Sequence, residues 1–385
     1  VLEPAPNMTR PDETEENTAV AVAGFPPELI GGTPAAIVAW FDEQMQGDAS
    51  RPEPDGTIET AHRIALAVSH GALSPRTRLA YRAGIRAWCR YCADLRRPVL
   101  PAAPADVAAF LSDAREPPKR EQRPALSLSA LGQRRAAITY LHQVAGLPTQ
   151  ALAAAVNPVV RGYRNEAAER NEQPTRKLAA RVDLLQAIVA PIGTDPVGLR
   201  DRALLLLGFA GAFRRAELAA IEVENLEFRP NGLIVLLTAS KGDRDRRGVR
   251  VGVPRGQTEL CPVRALEAWL AAAKLTKGPL FRRIWVSRRP AAAPADWEPT
   301  YTVGDQAMDA KTVAKIVKKR GAAVGLDPKK LGGHSLKRGA LNTALDRDVA
   351  LHKVKQLGRH KSFATLTAYI EEREQLDDPA LDGVL

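Results

Sequence analysis

Apolar residues recur every three to four positions through most of this 385-residue chain, the spacing that lines one face of an α-helix. In the first half the pattern predicts helices over residues 35–45, 58–68, 74–95, 104–113 and 127–145, with a short one over 149–156. Thr33-Pro34 marks a helix start and Gly146-Leu147-Pro148 a sharp stop. A polar stretch, NEAAERNEQPTRK over 165–177, then breaks the periodicity and reads as a linker. Beyond it helices are expected over 181–190, 196–212 and 215–221. The period then falls to two over 233–238 and again over 249–253, on either side of a charged turn spanning Lys241 to Gly248, so an antiparallel hairpin tipped with lysine is expected. Helices follow over 261–273, 310–324, 335–347, 350–356 and 362–372. The Pro-rich stretch 283–305, with Trp285 and Trp297, reads as an irregular loop.

These elements predict a mainly α chain of two domains. Residues 1–56 form a leader with one short helix, 57–164 a helical bundle, 165–177 the linker, and 178–385 a mixed α/β domain with a small antiparallel sheet. Charge sharpens the division. The net charge is +11, yet residues 1–60 hold only Arg10 and Arg51 against twelve acidic groups, a balance of −10 that leaves +21 for the rest. A basic body favours a polyanionic partner. Three cysteines cannot make a disulfide framework, and Cys89-x-x-Cys92 lacks the second pair of a structural zinc site, so both are expected as small core residues of an amphipathic helix. The start of the chain has no apolar signal segment, and the longest apolar run, 203–213, is too short to span a bilayer. A cytoplasmic, nucleoid-associated protein without membrane contact is expected.

Five separated groups carry candidate chemistry: Arg214 with Glu217, the turn residue Lys241, His334 followed by Lys337 and Arg338, His360, and Tyr369 nine residues after it. A phenol attacks phosphorus only where fixed cations and donors neutralise the pentacoordinate phosphorane. Each group also has an ordinary role: Arg214 can pair with Glu217 along a helix turn, and the histidines and tyrosine can be packing residues. In the first domain Arg76, Thr77, Arg78 and Arg82 share one helix face, and Ser129, Gln133 and Arg134 share another. Such faces suit neighbouring major grooves of DNA, or simply solvent.

Arriving in this order, the groups give the chain a resemblance to the tyrosine recombinase (phage integrase) family. The resemblance extends from about residue 74 to the end and is strongest to its Cre-like branch, through Ala87-Trp88-Cys89, the Gly146-Leu147-Pro148 stop, Gly333-His334-Ser335 and Tyr369-Ile370. It implies a C-shaped DNA clamp made of a core-binding domain and a catalytic domain. It also implies site-specific cleavage and rejoining through a 3′-phosphotyrosyl bond and a Holliday junction, without metal, nucleotide or other cofactor. Tyr369 is then the nucleophile, Arg214 the phosphate clamp held by Glu217, Lys241 the general acid, and His334 and His360 donors to the phosphoryl oxygens. Arg283 and Lys311 fall where the family contacts DNA, and the expected partner is double-stranded DNA with an inverted-repeat site, gripped by a homotetramer on two sites. An apolar stub, Pro379 to Leu385, would dock on a neighbour.

One position departs from the family pattern His-x-x-Arg: Lys337 stands where the second arginine belongs. A lysine offers a point charge in place of a planar fork, which implies an attenuated site, natural or engineered, and a gain of cleavage for Lys337→Arg. A weakened, purely DNA-binding or regulatory protein, a telomere resolvase and a type IB topoisomerase-like strand transferase stay open beside the recombinase.

Overall fold

A computed structural model describes residues 25–45, 53–71, 73–118, 122–172, 177–238, 248–292, 294–360, 362–363 and 366. Lys241 and the turn residues up to 247, the expected helix over 362–372 apart from Ser362, Phe363 and Leu366, Tyr369 and the apolar stub lie outside the described residues. The chain divides into two compact units, Val1–Gln173 and Pro174–Leu385.

The first unit is helical: α1 (Pro34–Met45), α2 (Ile58–Gly71), α3 (Pro75–Asp94), α4 (Pro104–Arg115), α5 (Leu128–Val144) and α6 (Gln150–Glu169). Proline opens α3 and α4, where its missing N–H is not needed. Ser74 and Ser127 cap α3 and α5 by accepting from the Thr77 and Ala130 amides. Ile37 and Phe41 of α1 sit in the same core as Trp88, Phe110, Leu131 and Leu141, so this helix belongs to the bundle and not to a separate leader. Cys89 and Cys92 are buried there as free thiols, and burial pushes both up to about 12, which makes them packing residues. α6 corrects the sequence expectation. It runs through Pro158 to Glu169, well past the expected end at 156 and into the stretch read as linker. Val156, Val160 and Ala167 keep one buried face, while the polar residues that suggested a break form the solvated one.

The second unit surrounds α8 (Pro196–Ala210), whose Ala203 to Leu207 are all buried. Around it lie α7 (Val182–Val189), α9 (Arg215–Ala219), α10 (Pro262–Ala272), α11 (Ala310–Ala322), α12 (Ser335–Asp346) and α13 (Leu351–Gly358). A three-stranded antiparallel sheet, β1 (Leu226–Arg229), β2 (Gly232–Leu237) and β3 (Val249–Pro254), pairs Leu233 with Val253 and Val235 with Val251; these four residues point into the core. β1 was not expected, because four residues with one half-buried side chain carry too little alternation. The irregular loop is also corrected: β4 (Arg282–Val286) and β5 (Tyr301–Ala307) pair antiparallel, Ile284 opposite Val303. The Pro-rich insert between them hid the pairing. Among the described residues no helix is long and apolar enough to cross a membrane.

Two features fix the end of α12 that matters for chemistry. The Ala180 amide donates to Ser335 O at 3.0 Å, and Gly339 lies so close to the same segment that a Cβ there would stand 1.9 Å from Ala180 O. Gly339→Ala is therefore expected to destabilise the second unit by about 1–3 kcal/mol. Urea unfolding checks this, and a midpoint equal to wild type contradicts it.

Candidate active site

The site grows from a short turn. α8 stops at Gly211, Ala212 takes a positive φ of 43°, Phe213 is driven into the core, and Arg214 emerges as N-cap of α9. Glu217, three residues on, is 4% exposed. Its Oε1 accepts from Arg214 Nη1 at 2.6 Å and its Oε2 from the Arg214 amide at 2.8 Å. The same Oε2 accepts from Arg359 Nη2 at 2.7 Å. One buried carboxylate thus orders two guanidinium groups. Burial pushes the Glu217 carboxyl up, but Arg359 and Arg214 more than offset this and hold it below the usual range.

The C-terminus of α13 closes the cluster. Gly358 O accepts from Lys337 Nζ of α12, and His360 follows Arg359 directly. A Cβ on Gly358 would stand 2.2 Å from His360 Cδ2, so the imidazole packs directly against that glycine. Burial, then the charges of Arg214 and Arg359, pull the Lys337 ammonium down to about 7, with Glu217 opposing. Burial, then Lys337, Arg214 and Arg359, pull His360 down to about 4. At neutral pH His360 is a neutral imidazole, able to donate from one nitrogen and accept at the other.

Both shifts make acid unfavourable. The native state binds fewer protons than the unfolded chain between about pH 7 and 10 at Lys337, and between about pH 4 and 6.5 at His360. Stability contributed by these groups therefore rises with pH through those windows. Lys337→Met is expected to flatten the rise in urea stability between pH 7 and 9; an unchanged slope in the variant contradicts the assignment.

Of the residues singled out from sequence, the structure brings together Arg214, Glu217, Lys337 and His360. His334 is the exposed N-cap of α12, one helical turn before Lys337. Arg338 turns away and donates to Lys177 O, so it does not stand in for the missing arginine. Arg283 is exposed on β4 with its guanidinium over Trp285, and Lys311 is exposed in the first turn of α11. In the first unit Arg76, Ser129 and Gln133 are exposed and Arg78 half-buried. Three others have intramolecular work. Thr77 completes the Ser74 cap, Arg82 pairs with Asp42 at 2.6 Å, and Arg134 lies over the Phe110 ring, its basicity lowered first by burial. Arg359 is the residue that sequence reasoning passed over. It stood inside the Leu357-Gly358-Arg359-His360 run, but a basic residue beside a histidine gave no sign of pointing inward.

The sequence profile described as the phage integrase family matches residues 180–375, the segment holding Arg214, Glu217, Lys337, Arg359 and His360. The chain is 39% identical over 186 residues to an integrase/recombinase xerD homolog of Selenomonas ruminantium, covering 48% of this chain and 51% of that one. It is 27% identical over 183 residues to the tyrosine recombinase XerD of Xanthomonas axonopodis pv. citri, covering 47% and 54%. The match spans about half the length of these relatives. Among solved structures, XerH site-specific recombinase bound to palindromic difH substrate, a post-cleavage complex, superposes with a TM-score of 0.56 at 12% identity over 91% of this chain and 95% of that one. Its pre-cleavage complex with difH gives 0.51 at 15% identity over 92% and 97%. The two-domain, mainly helical fold is shared with these recombinases. The chain belongs to the phage integrase family.

Proposed function

We propose that the chain is a site-specific recombinase that cuts and rejoins DNA through Tyr369. The observation that carries this is the convergence of Arg214 and Arg359 on one buried carboxylate beside Lys337 and His360, while Arg214 keeps 21% of its side-chain surface open. An ordered, partly open guanidinium in a chain of net charge +11 suits a phosphodiester. In the reaction the Tyr369 oxygen bonds to phosphorus, and the bond from phosphorus to the 5′-oxygen breaks. The phenolic proton passes to a neutral imidazole, His360 being the candidate nine residues upstream, and Lys241 protonates the leaving 5′-oxygen. Arg214 neutralises the equatorial oxygens. Attack by a partner strand's 5′-hydroxyl reverses the step and yields the Holliday junction. Phosphodiester energy is kept in the phosphotyrosyl bond, so no nucleotide is consumed.

Double-stranded DNA with an inverted repeat is the proposed partner, held by four copies of the chain across two sites. Arg76, Arg78, Ser129, Gln133, Arg283 and Lys311 are its proposed contacts, and Thr77, Arg82 and Arg134 contribute where their intramolecular partners release them. Within the family we read the chain as Cre-like on Ala87-Trp88-Cys89 and Gly146-Leu147-Pro148, although the matched relatives carry XerC and XerD names. Lys337 favours a second reading, a DNA-binding protein of the same fold with weakened chemistry, because its amine presents no fork. Selection of bound fragments from a random duplex pool, followed by incubation with a nicked duplex of the selected site, separates the two. A covalent protein–DNA adduct that disappears in Tyr369→Phe supports the recombinase; binding with no adduct supports the second reading.

A further inference from the structure

We infer that Arg359 is a positioning residue for the reaction proposed above: by occupying Oε2 of Glu217 it leaves Arg214 a single prong on that carboxylate and the rest of its guanidinium turned to the phosphate. The inference rests on that reading of the site, but its evidence is geometric. Arg359 Nη1 donates to Gly211 O at 2.7 Å and to Leu357 O at 3.4 Å, and Nη2 to Ala212 O at 2.8 Å and Glu217 Oε2 at 2.7 Å. Its Nε is buried without a partner among the described residues. Its guanidinium also covers the Phe213 ring, 5.2 Å from the centroid. No edge of this fork remains for a ligand, so Arg359 is not itself a phosphate clamp.

Arg214 is built the other way. Only Nη1 of its guanidinium is engaged among the described residues. A carboxylate facing one arginine takes it side-on, with two parallel bonds. Were Arg359 absent, only the Arg214 amide would hold Oε2, and Glu217 could rotate to chelate the Arg214 guanidinium and withdraw the second prong from the substrate. Arg359 prevents this, and it braces the carbonyls of 211 and 212 that set where Arg214 emerges. The backbone is consistent with this: Arg359 ends α13 at φ 52° and ψ 46°, a left-handed turn that reverses the chain and carries the side chain back to Glu217. The turn 358–360 thereby joins three parts of the site, through Gly358 O to Lys337, Arg359 to Glu217, and the imidazole of His360.

Arg359 also sets the charge that Lys337 feels. The charged and titratable groups facing the Lys337 amine are Arg214 and Glu217 from the start of α9 and Arg359 and His360 from the end of α13. Removing the Arg359 cation should let the Lys337 amine hold its proton to higher pH.

The test uses the full chain, its Arg359→Gly and Arg359→Lys variants, and the nicked duplex obtained by site selection. Glycine relieves the left-handed turn, so the variant is expected to fold. Single-turnover cleavage at saturating DNA should fall about 100-fold in Arg359→Gly, the scale of a misplaced reacting group, with DNA affinity within about threefold, and Arg359→Lys should recover part of the rate. In parallel, NMR of lysine carrying 13C at Cε follows the Lys337 midpoint, which should rise from about 7 in Arg359→Gly. Cleavage equal to wild type, cleavage lost only in proportion to DNA binding, or an unmoved Lys337 midpoint overturns the role. If no form of the chain cleaves DNA, the proposed reaction fails, and the Lys337 midpoint alone still decides whether Arg359 organises this cluster.

Discussion

Arg214→Lys is expected to slow strand cleavage by about 100- to 1000-fold, the usual loss for one preorganised transition-state donor, while changing DNA affinity little. The arginine is placed to do two things at once: Nη1 holds Glu217 Oε1 at 2.6 Å, while 21% of the side chain stays open. A lysine ammonium is a single point of charge and cannot hold the buried carboxylate and span two phosphoryl oxygens together. It would pair with Glu217, because that carboxylate is buried and strongly anionic, and the phosphate would lose its clamp. Single-turnover assays at saturating DNA measure this directly. Cleavage within threefold of wild type would show that Arg214 is an ordinary helix-start arginine paired with Glu217.

Glu217→Gln carries the second large effect, and it falls on stability as well as on rate. The carboxylate is the only acidic group drawn close to Arg214, Arg359 and Lys337 among the described residues. Breaking a buried ion pair by removing one partner costs about 3–5 kcal/mol, since the remaining charge is left uncompensated. Here two guanidinium groups are left, beside a Lys337 amine that gives up its proton more readily once Glu217 is gone. Urea unfolding near pH 7 should register that loss, and cleavage should fall with it even where the variant is folded. The wild-type pH dependence has a fixed sign: a carboxyl held below its unfolded value contributes stability above the unfolded pKa and loses it as pH falls through the folded one. A loss under about 1 kcal/mol would mean the cluster is solvated and the carboxylate dispensable.

The helices of both units were legible because their apolar period is strong and their ends carry Ser, Pro or Gly signals, as at Ser74, Pro104, Ser127 and Pro196. What escaped had a local physical cause. The polar face of α6 over 165–169 looked like the start of a linker. Val286 and Tyr301 pair across a Pro-rich insert that reads as a loop, and β1 is too short to show a period. At the site, Arg214, Glu217, Lys337 and His360 were recognisable as types in a known order, but their company was not. Arg359 reaches Glu217 only because the chain turns left-handed after α13, a conformation that an arginine does not announce.

That arginine also changes what Lys337 means. From sequence, Lys337 is a missing fork, and Lys337→Arg should restore it. The structure leaves Lys337 5% exposed, its amine held by Gly358 O beside two guanidinium groups already arranged around Glu217. A third would compete with Arg359 for the same oxygen, so Lys337→Arg alone is expected to gain less than about tenfold in cleavage, short of the 100- to 1000-fold that one well-placed donor supplies. A full restoration would show that the space is free and that Arg359 is not part of the device.

The central claim is that a phenolic oxygen at residue 369 takes a DNA phosphate under the control of the Arg214–Glu217–Arg359 cluster. Its most direct measurement is the mass and linkage of the peptide left on DNA after trapping on a nicked duplex of the selected site, in the presence of EDTA. The account predicts a phosphotyrosyl bond from Tyr369 to a 3′-phosphate, with a free 5′-hydroxyl on the released strand and no loss of yield on chelation. A 5′-linkage, an adduct at another residue, or cleavage that requires a divalent ion would contradict it.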